Sequence, residues 1–193
     1  MLILTLPTEA QAQFSYTTNN GAITITGYNG SGAVNIPSAT NGFPVTGIGF
    51  EAFNHPDLTN VTIPSSVNNI ATSAFILCSS LQTINVDSNN PFYCSVNGAL
   101  FDKQQTTLLQ CPDGLVGSYT IPPSVTNIIY LFYYCTLLTA INADSNNLVY
   151  GSVNGVLFDK KQTTLIECPD GATGSYTLPS SVTSFRASGF NDC

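Results

Sequence analysis

Residues 67–86 read VNNIATSAFILCSSLQTINV, and the spacing of their apolar residues decides the fold of this chain. The stretch has the form Val-x-x-Ile-x4-Phe followed by Leu-x-x-Ile-x-Val. Copies of this form start at Val45, Val67 and Val125, and an incomplete copy starts at Val182. The first two copies lie 22 residues apart, which is the length of one solenoid coil. A unit this short cannot enclose a core alone, so we expect the copies to stack.

A longer repeat contains this coil. Residues 78–128 align without a gap on residues 135–185, and 33 of the 51 aligned positions are identical. The additional sequence forms two inserts, at about 87–122 and 144–179. Each insert contains Ser-Val-Asn-Gly-x-Leu-Phe-Asp-Lys followed by Gln-Thr-Thr-Leu, which predicts two strands joined by a turn, that is, a β-hairpin.

The coil itself reads as strands rather than helices. Ile84 and Val86 alternate with Thr83 and Asn85, so one strand face packs and the other meets water. Frequent Gly, Pro, Asn, Thr and Val disfavour long helices. Three prolines are predicted to end strands of the type Thr-Ile/Leu-Pro: Pro64, Pro122 and Pro179. One phenylalanine per coil predicts a stacked aromatic column: Phe53, Phe75, Phe132 and Phe190.

The composition restricts the class of partner. The chain has 193 residues, of which 43% are apolar and only 8% are charged, with a net charge of −7. Such a charge disfavours binding to nucleic acid and to anionic lipid. No apolar run approaches the roughly 20 residues of a membrane-spanning helix, so we expect no membrane insertion of the folded part.

The N-terminal residues suggest an exported protein, and the C-terminal residues suggest that it continues in a longer one. Residues 1–12 combine a short apolar stretch with Ala10-x-Ala12, as in the last part of a secretory signal, although an ordinary apolar tail is the alternative. Residues 13–43 alternate apolar residues with Gly and Asn, which predicts an N-terminal β cap. Residues 44–193 are the predicted solenoid. It breaks off at Cys193 without a polar cap, so we expect it to continue in a longer protein.

Five of the six cysteines occupy repeat positions. Cys78, Cys135 and Cys193 share one position, and Cys111 and Cys168 share another. Copies a whole unit apart should exceed the roughly 7 Å Cα separation that a disulfide allows, so stacked buried thiols are favoured. The remaining cysteine, Cys94, leaves a Cys94–Cys111 bridge open.

At these residues the chain resembles the BspA-type leucine-rich repeats of bacterial and some protist surface proteins. The matching segments include residues 65–81, the inserts from Asp87 through Asn97-Gly98 to Pro122, and their copies. The resemblance implies a mainly β leucine-rich-repeat solenoid with an N-terminal β cap and β-hairpin inserts. It also implies an extracellular protein used for adhesion or protein binding, and it brings no catalytic residues.

Two turn sequences resemble ion-binding loops. Asp87-Ser88-Asn89-Asn90 and its copy Asp144–Asn147 offer oxygen ligands to calcium, but with one carboxylate each an Asx turn is the favoured interpretation, and we expect no metal or cofactor. The register of the repeat assigns the stacked asparagine of leucine-rich repeats, whose side chain satisfies backbone groups, to Asn89 and Asn146.

No cluster of residues predicts catalysis. His55 is the only histidine, it lies in a loop, and no Gly-x-Ser-x-Gly elbow accompanies it. We therefore predict a non-enzymatic module.

The candidate binding surface is the polar side of the parallel strands. Its residues are Thr59, Asn60, Thr62, Gln82, Thr83, Asn85, Thr139 and Asn142. Rows of similar side chains suit an extended protein partner. The alternatives are carbohydrate binding, with the insert aromatics Phe92, Tyr93 and Tyr150 as stacking platforms, and a structural spacer in a longer surface protein.

Overall fold

The computed structural model describes residues 13–129, 132–187 and 189–190. Within these ranges the chain forms strands, turns and loops but no α-helix, and hence no helix of the length and apolar character needed to cross a bilayer. The predicted signal segment, residues 1–12, and Cys193 lie outside the described residues.

The strands of the first half precede or form the first insert. They are β1 (Phe14–Asn19), β2 (Ala22–Tyr28), β3 (Gly32–Asn35), β4 (Ala39–Thr40), β5 (Phe43–Ile48), β6 (Leu58–Ile63), β7 (Asn69–Ile70), β8 (Thr83–Val86), β9 (Tyr93–Val96), β10 (Ala99–Asp102) and β11 (Thr107–Gln110). The strands of the second half are β12 (Gly117–Ile121), β13 (Asn127–Ile128), β14 (Leu138–Ala143), β15 (Tyr150–Val153), β16 (Val156–Asp159), β17 (Thr164–Glu167) and β18 (Ser184–Phe185).

Successive coils stack through parallel strand pairs in two ladders. In the first ladder β3, β6 and β8 pair in that order, and β12 pairs with β14. In the second, β5 lies between β2 and β7, while β11 pairs with β13 and β17 with β18. The solenoid predicted from the 22-residue period is therefore confirmed. Within the segment predicted as a cap, β1 pairs antiparallel with β2, while β2 and β3 already stack on the coil that follows.

The hairpin of each insert contains one more strand than the sequence predicts. The hairpin β10–β11 forms as expected, with Asp102 accepting hydrogen bonds from Thr106 N (2.8 Å) and Thr107 N (2.7 Å) across the turn. The additional strand β9 pairs antiparallel with β10 through the two-residue turn Asn97-Gly98. Both turn residues have positive φ, 51° and 80°, the conformation of a type I′ turn that favours Asn-Gly. This dipeptide was the available signal for β9.

The insert takes the place of the next coil. Ile84 N donates to Gly98 O (2.7 Å) and Val86 N to the Ser95 hydroxyl (3.2 Å), so the β9–β10 turn covers the free edge of β8. Gly114 N donates to Leu81 O (2.8 Å), which stacks the Pro-Asp-Gly turn on the same coil. The second insert repeats this docking on β14, with Ile141 N donating to Gly155 O (2.7 Å). The inserts therefore divide the first ladder into segments.

The predicted phenylalanine column is wrong beyond the first two coils. Phe53 and Phe75 stack with ring centroids 5.3 Å apart in the N-terminal core. Phe132 instead packs against Tyr119, at 5.8 Å, in a second core cluster. Phe190 pairs with Phe185, and 47% of its side chain is exposed. The hairpin phenylalanines Phe101 and Phe158 fill the interior where the inserts intervene, and both are fully buried.

The predicted strands end immediately before a proline in the two cases in which an adjacent parallel strand pairs with them. β6 and β12 stop immediately before Pro64 and Pro122, as predicted. Residues 174–178, the copy of β12 before Pro179, form no strand in the structure, so that prediction is wrong.

Candidate functional site: the polar face of the parallel sheet

Six of the eight predicted surface residues lie together on β6 and β8 or, for Gln82, immediately before β8. Asn60 is paired with Thr83, and Thr62 with Asn85, in the parallel register. Gln82 N donates to Thr59 O (2.8 Å), which aligns the remaining two. All six side chains are half-buried or exposed, whereas Val61, Ile63 and Ile84 of the same strands are fully buried. Period-two alternation thus turns the apolar residues into the core and leaves amides and hydroxyls outside.

These polar side chains are connected to one another. Asn85 Nδ2 donates to the Thr83 hydroxyl (3.4 Å), the Thr83 hydroxyl donates to Asn60 Oδ1, and Asn60 Nδ2 donates to the Thr59 hydroxyl (3.1 Å). These hydrogen bonds form a continuous chain of polar side chains from β8 to β6. Side chains held in this way lose less conformational entropy when a ligand binds.

The other two predicted residues belong to a separate sheet. Thr139 and Asn142 lie on β14, which pairs with β12 and not with β8. The Thr139 hydroxyl donates to Gly117 O (2.9 Å). The eight residues therefore form two patches with the first insert between them.

Three residues of the same surface were missed by the sequence analysis. Asn35 on β3 pairs with Thr62 and extends the first patch. Ser118 and Thr120 on β12 pair with Ala140 and Asn142, and both are exposed. The signal for Asn35 was Val34-Asn35-Ile36-Pro37, which repeats the pattern of Val61-Thr-Ile-Pro. The signal for Ser118 and Thr120 was masked because this strand was assigned to the insert.

A buried asparagine fixes the turn that follows each polar strand. Asn90 is fully buried; its Nδ2 donates to Pro64 O (3.0 Å) and Val67 O (2.9 Å), while its Oδ1 accepts from Phe92 N (2.8 Å) and Tyr93 N (2.9 Å). Asn147 repeats all four bonds in the second copy. The assignment of this role to Asn89 and Asn146 is therefore wrong by one residue.

The neighbouring aspartates act within their own turns. Asp87 Oδ1 accepts from Asn89 N (2.8 Å), and Asp144 Oδ1 accepts from Asn146 N (2.8 Å), which confirms the Asx turns. Lys103 and Lys160 donate to Ser88 O (3.2 Å) and Ser145 O (3.0 Å) of the same turns. Among the described residues no group of three or more His, Cys, Asp or Glu side chains is placed to hold a metal ion.

Two of the three insert aromatics form hydrogen bonds with the backbone of the solenoid coils. The Tyr93 hydroxyl accepts from Ile70 N (3.1 Å) and donates to Asn68 O (3.4 Å). Tyr150 is buried, and its hydroxyl donates to Thr126 O (3.4 Å). Only Phe92, half exposed, presents a ring to solvent, and its copy is Val149.

His55 is integrated into the first coil. Its Nδ1 accepts from Asp57 N (3.3 Å), and its ring lies edge-on to Tyr28 with centroids 6.2 Å apart.

Buried acids lie where the inserts join the coils. Asp113 accepts from Cys78 N (3.2 Å) and Gln110 Nε2 (3.3 Å), and burial raises the pKa of its carboxyl to about 7. In the second copy Glu167 replaces Gln110. Burial, together with the charge of Asp170, raises the pKa of Glu167 to about 8.

Comparison with solved structures finds the same fold in bacterial leucine-rich repeat proteins. A leucine-rich repeat protein from Eubacterium ventriosum is 26% identical with a TM-score of 0.53, and the match covers 91% of this chain and 54% of that one. The pneumococcal vaccine antigen PcpA is 19% identical with a TM-score of 0.51, covering 93% and 60%. The Treponema pallidum leucine-rich repeat protein is 24% identical with a TM-score of 0.52, covering 97% and 88%. This chain thus spans less than two thirds of the first two.

No curated protein sequence matches this chain significantly. The sequence pattern of the BspA type leucine-rich repeat region, in contrast, matches six copies over residues 14–115 and 46–193. The stacked parallel strands and the turn asparagines provide the structural counterpart of those copies. This chain belongs to the BspA-type leucine-rich repeat family.

Proposed function

We propose that this protein is an exported, non-enzymatic module that binds another protein through the polar face of β3, β6 and β8. The observation that carries the proposal is the row of polar residues paired in register across these strands, which are hydrogen-bonded to one another from β8 to β6. It offers amide and hydroxyl groups at a regular strand spacing, which suits the repeated polar groups of an extended polypeptide.

The charge of the molecule is consistent with this type of recognition. With a net charge of −7 and few charged side chains, long-range attraction contributes little to most partners. Binding would depend on shape and direct hydrogen bonds, so it should change little with salt concentration. Salt-insensitive binding is therefore one expected property.

Export is part of the proposal and rests on sequence features. The Ala10-x-Ala12 pattern and a surface rich in Asn, Ser and Thr support it. Fractionation of the source cells with an antibody against residues 13–193 tests it, with recovery outside the cytoplasm expected and exclusive cytoplasmic recovery contradicting it.

The binding test uses purified residues 13–193 on an array of purified extracellular proteins and on a glycan array. Asn85→Arg places a large cation on the polar face and should reduce any protein binding at least tenfold. Gln104→Arg is the matched control: it adds the same charge at an exposed hairpin turn, where the second copy carries Lys161, and should bind like the wild type.

The array results separate the rival functions. Glycan binding that is lost on Phe92→Ala would favour the carbohydrate alternative, since Phe92 is the exposed ring of the insert. Binding to neither array would favour a spacer. Protein binding that is equal in Asn85→Arg and Gln104→Arg would place the site elsewhere on the molecule.

A further inference from the structure

One pair of thiols is brought together by stacking rather than by repeat position. Cys111 follows β11 in the first insert, and Cys135 precedes β14 in the next coil. The two side chains are hydrogen-bonded to each other, and both residues are at most 2% exposed. Cys135 Sγ also lies 3.6 Å from Pro112 O, the residue after Cys111. Comparison of equivalent positions alone does not reveal this contact, because the two cysteines occupy different positions of the unit.

A matched site in the first coil lacks the second thiol. Cys78 is the counterpart of Cys135, and the residue 24 positions before it, the spacing that separates Cys111 from Cys135, is the exposed Asn54. Cys78 Sγ there donates to Phe53 O at 2.7 Å. The same burial thus occurs with and without a facing cysteine, so packing alone does not require the pair.

We propose that Cys111 and Cys135 form a disulfide that links the first insert to the coil stacked on it. Side chains already in contact across adjacent coils satisfy one condition for the bond, namely that the two cysteines lie close together. The bond closes the loop between residues 111 and 135, and constraining such a loop in the unfolded chain stabilises the folded one. Its formation in the cell rests on the proposed export, since exported proteins meet an oxidising compartment.

The bond forms by thiol–disulfide exchange with an external disulfide, either a small molecule such as oxidised glutathione or a protein oxidant. A thiolate of one cysteine attacks the external disulfide and releases one thiol. The second cysteine then attacks the mixed disulfide and releases the other. The external S–S bond is reduced to two thiols, which receive both cysteine protons, while the two cysteine sulfurs are oxidised to one S–S bond.

We expect the disulfide exchange to take place while the chain is still folding. The hydrogen bond with Cys111 and burial both raise the pKa of the Cys135 thiol, and the thiolate is the attacking species. In the folded, reduced protein these two thiols are therefore neither accessible nor reactive. Oxidation is efficient before the third coil packs on the insert.

The test refolds the denatured, reduced chain, residues 13–193, in a buffer of oxidised and reduced glutathione and maps the pairing. Cleavage before aspartates separates the two cysteines, because Cys111 falls in residues 102–112 and Cys135 in residues 113–143. The expected result is a crosslinked 102–112/113–143 species that reductant dissolves. Free thiols in both peptides, or a Cys94–Cys111 species instead, would overturn the proposal.

A stability measurement provides the second arm. Reductant should lower the thermal midpoint of the oxidised wild type by about 5–10 °C. Cys78→Ala, the control with an equally buried thiol, should keep this difference between oxidised and reduced protein. Cys111→Ala and Cys135→Ala should each lose it; a difference that persists in both would contradict the pairing. A crosslink found after refolding together with free thiols in the cell would argue against export and leave the disulfide supported.

Discussion

The two inserts share most of their sequence but differ in their surroundings. Gly117-Ser118-Tyr119-Thr120 of the first insert forms β12 and pairs with β14. The identical tetrapeptide at 174–177 forms no strand and pairs with no described strand. Ile121 is fully buried, whereas its copy Leu178 is 39% exposed. Strand formation by this tetrapeptide therefore depends on the adjacent strand more than on local sequence.

Both inserts have the same buried asparagine, Asn90 or Asn147, at the turn that precedes the hairpin. Replacing it should have the largest effect on the free energy of unfolding. Asn90→Ala leaves two carbonyl and two amide groups of the turn without their partner. We expect about 3 kcal/mol of destabilisation in urea unfolding, and a similar loss for Asn147→Ala.

Asn89→Ala and Asn146→Ala are the controls, because these exposed neighbours contribute mainly backbone amides to their Asx turns. Each should cost less than about 1 kcal/mol. If Asn89→Ala proves as harmful as Asn90→Ala, the buried side chain is not what holds the turn.

The inserts also differ in one buried carboxyl group, which should make the stability of the second insert depend more strongly on pH than that of the first. Glu167 is fully buried, and its pKa is raised from 4.5 to about 8, largely by burial and then by Asp170, with Arg186 opposing. A raised pKa means that the folded state holds the proton more tightly than the unfolded state. The contribution to stability is thus complete below about pH 4.5 and is lost as the pH rises towards 8.

Glu167→Gln should remove this contribution, and Gln110→Glu should add a similar one in the first insert, beside that of Asp113. At pH 8 we expect Glu167→Gln to stabilise the protein by about 1–2 kcal/mol and Gln110→Glu to destabilise it by about 2 kcal/mol. At pH 4.5 both variants should unfold near the wild-type midpoint. Thermal melts at the two pH values measure this, and parallel pH profiles for all three proteins would show that the carboxyl is not the source.

The sequence predicts the stacking well because its signals are local and repeated. The spacing from Val45 to Val67 and the alternation through Ile84 and Val86 are enough to place β6 and β8 and the polar side chains between them. The Asn97-Gly98 turn was available in the same way, but it was read as part of a strand. These features depend on neighbours a few residues away.

The remaining features depend on which coil faces which. Phe75 and Phe132 belong to different cores because an insert lies between their coils, and the polar face is divided for the same reason. The Cys111–Cys135 contact joins two different positions of the unit, so the repeat pattern does not show it. A sequence period gives the order of the coils but not the contacts between an insert and the coils around it.

The smallest expected change in stability comes from removing one hydroxyl from Tyr119 or from its copy Tyr176, whose surroundings differ. Tyr119, paired with Ile141 of β14, is 2% exposed, and its hydroxyl has no hydrogen-bond partner among the described residues. In the second insert the equivalent Tyr176 hydroxyl donates to Val153 O at 3.0 Å.

Tyr119→Phe removes a buried, unpaired polar group and should leave stability unchanged or raise it by about 1 kcal/mol. Tyr176→Phe removes a made hydrogen bond and should lower stability by about 0.5–1 kcal/mol. Urea unfolding of both variants measures the sign of each change. Equal losses in the two variants would mean that the Tyr119 hydroxyl is also hydrogen-bonded in solution, as the Tyr176 hydroxyl is.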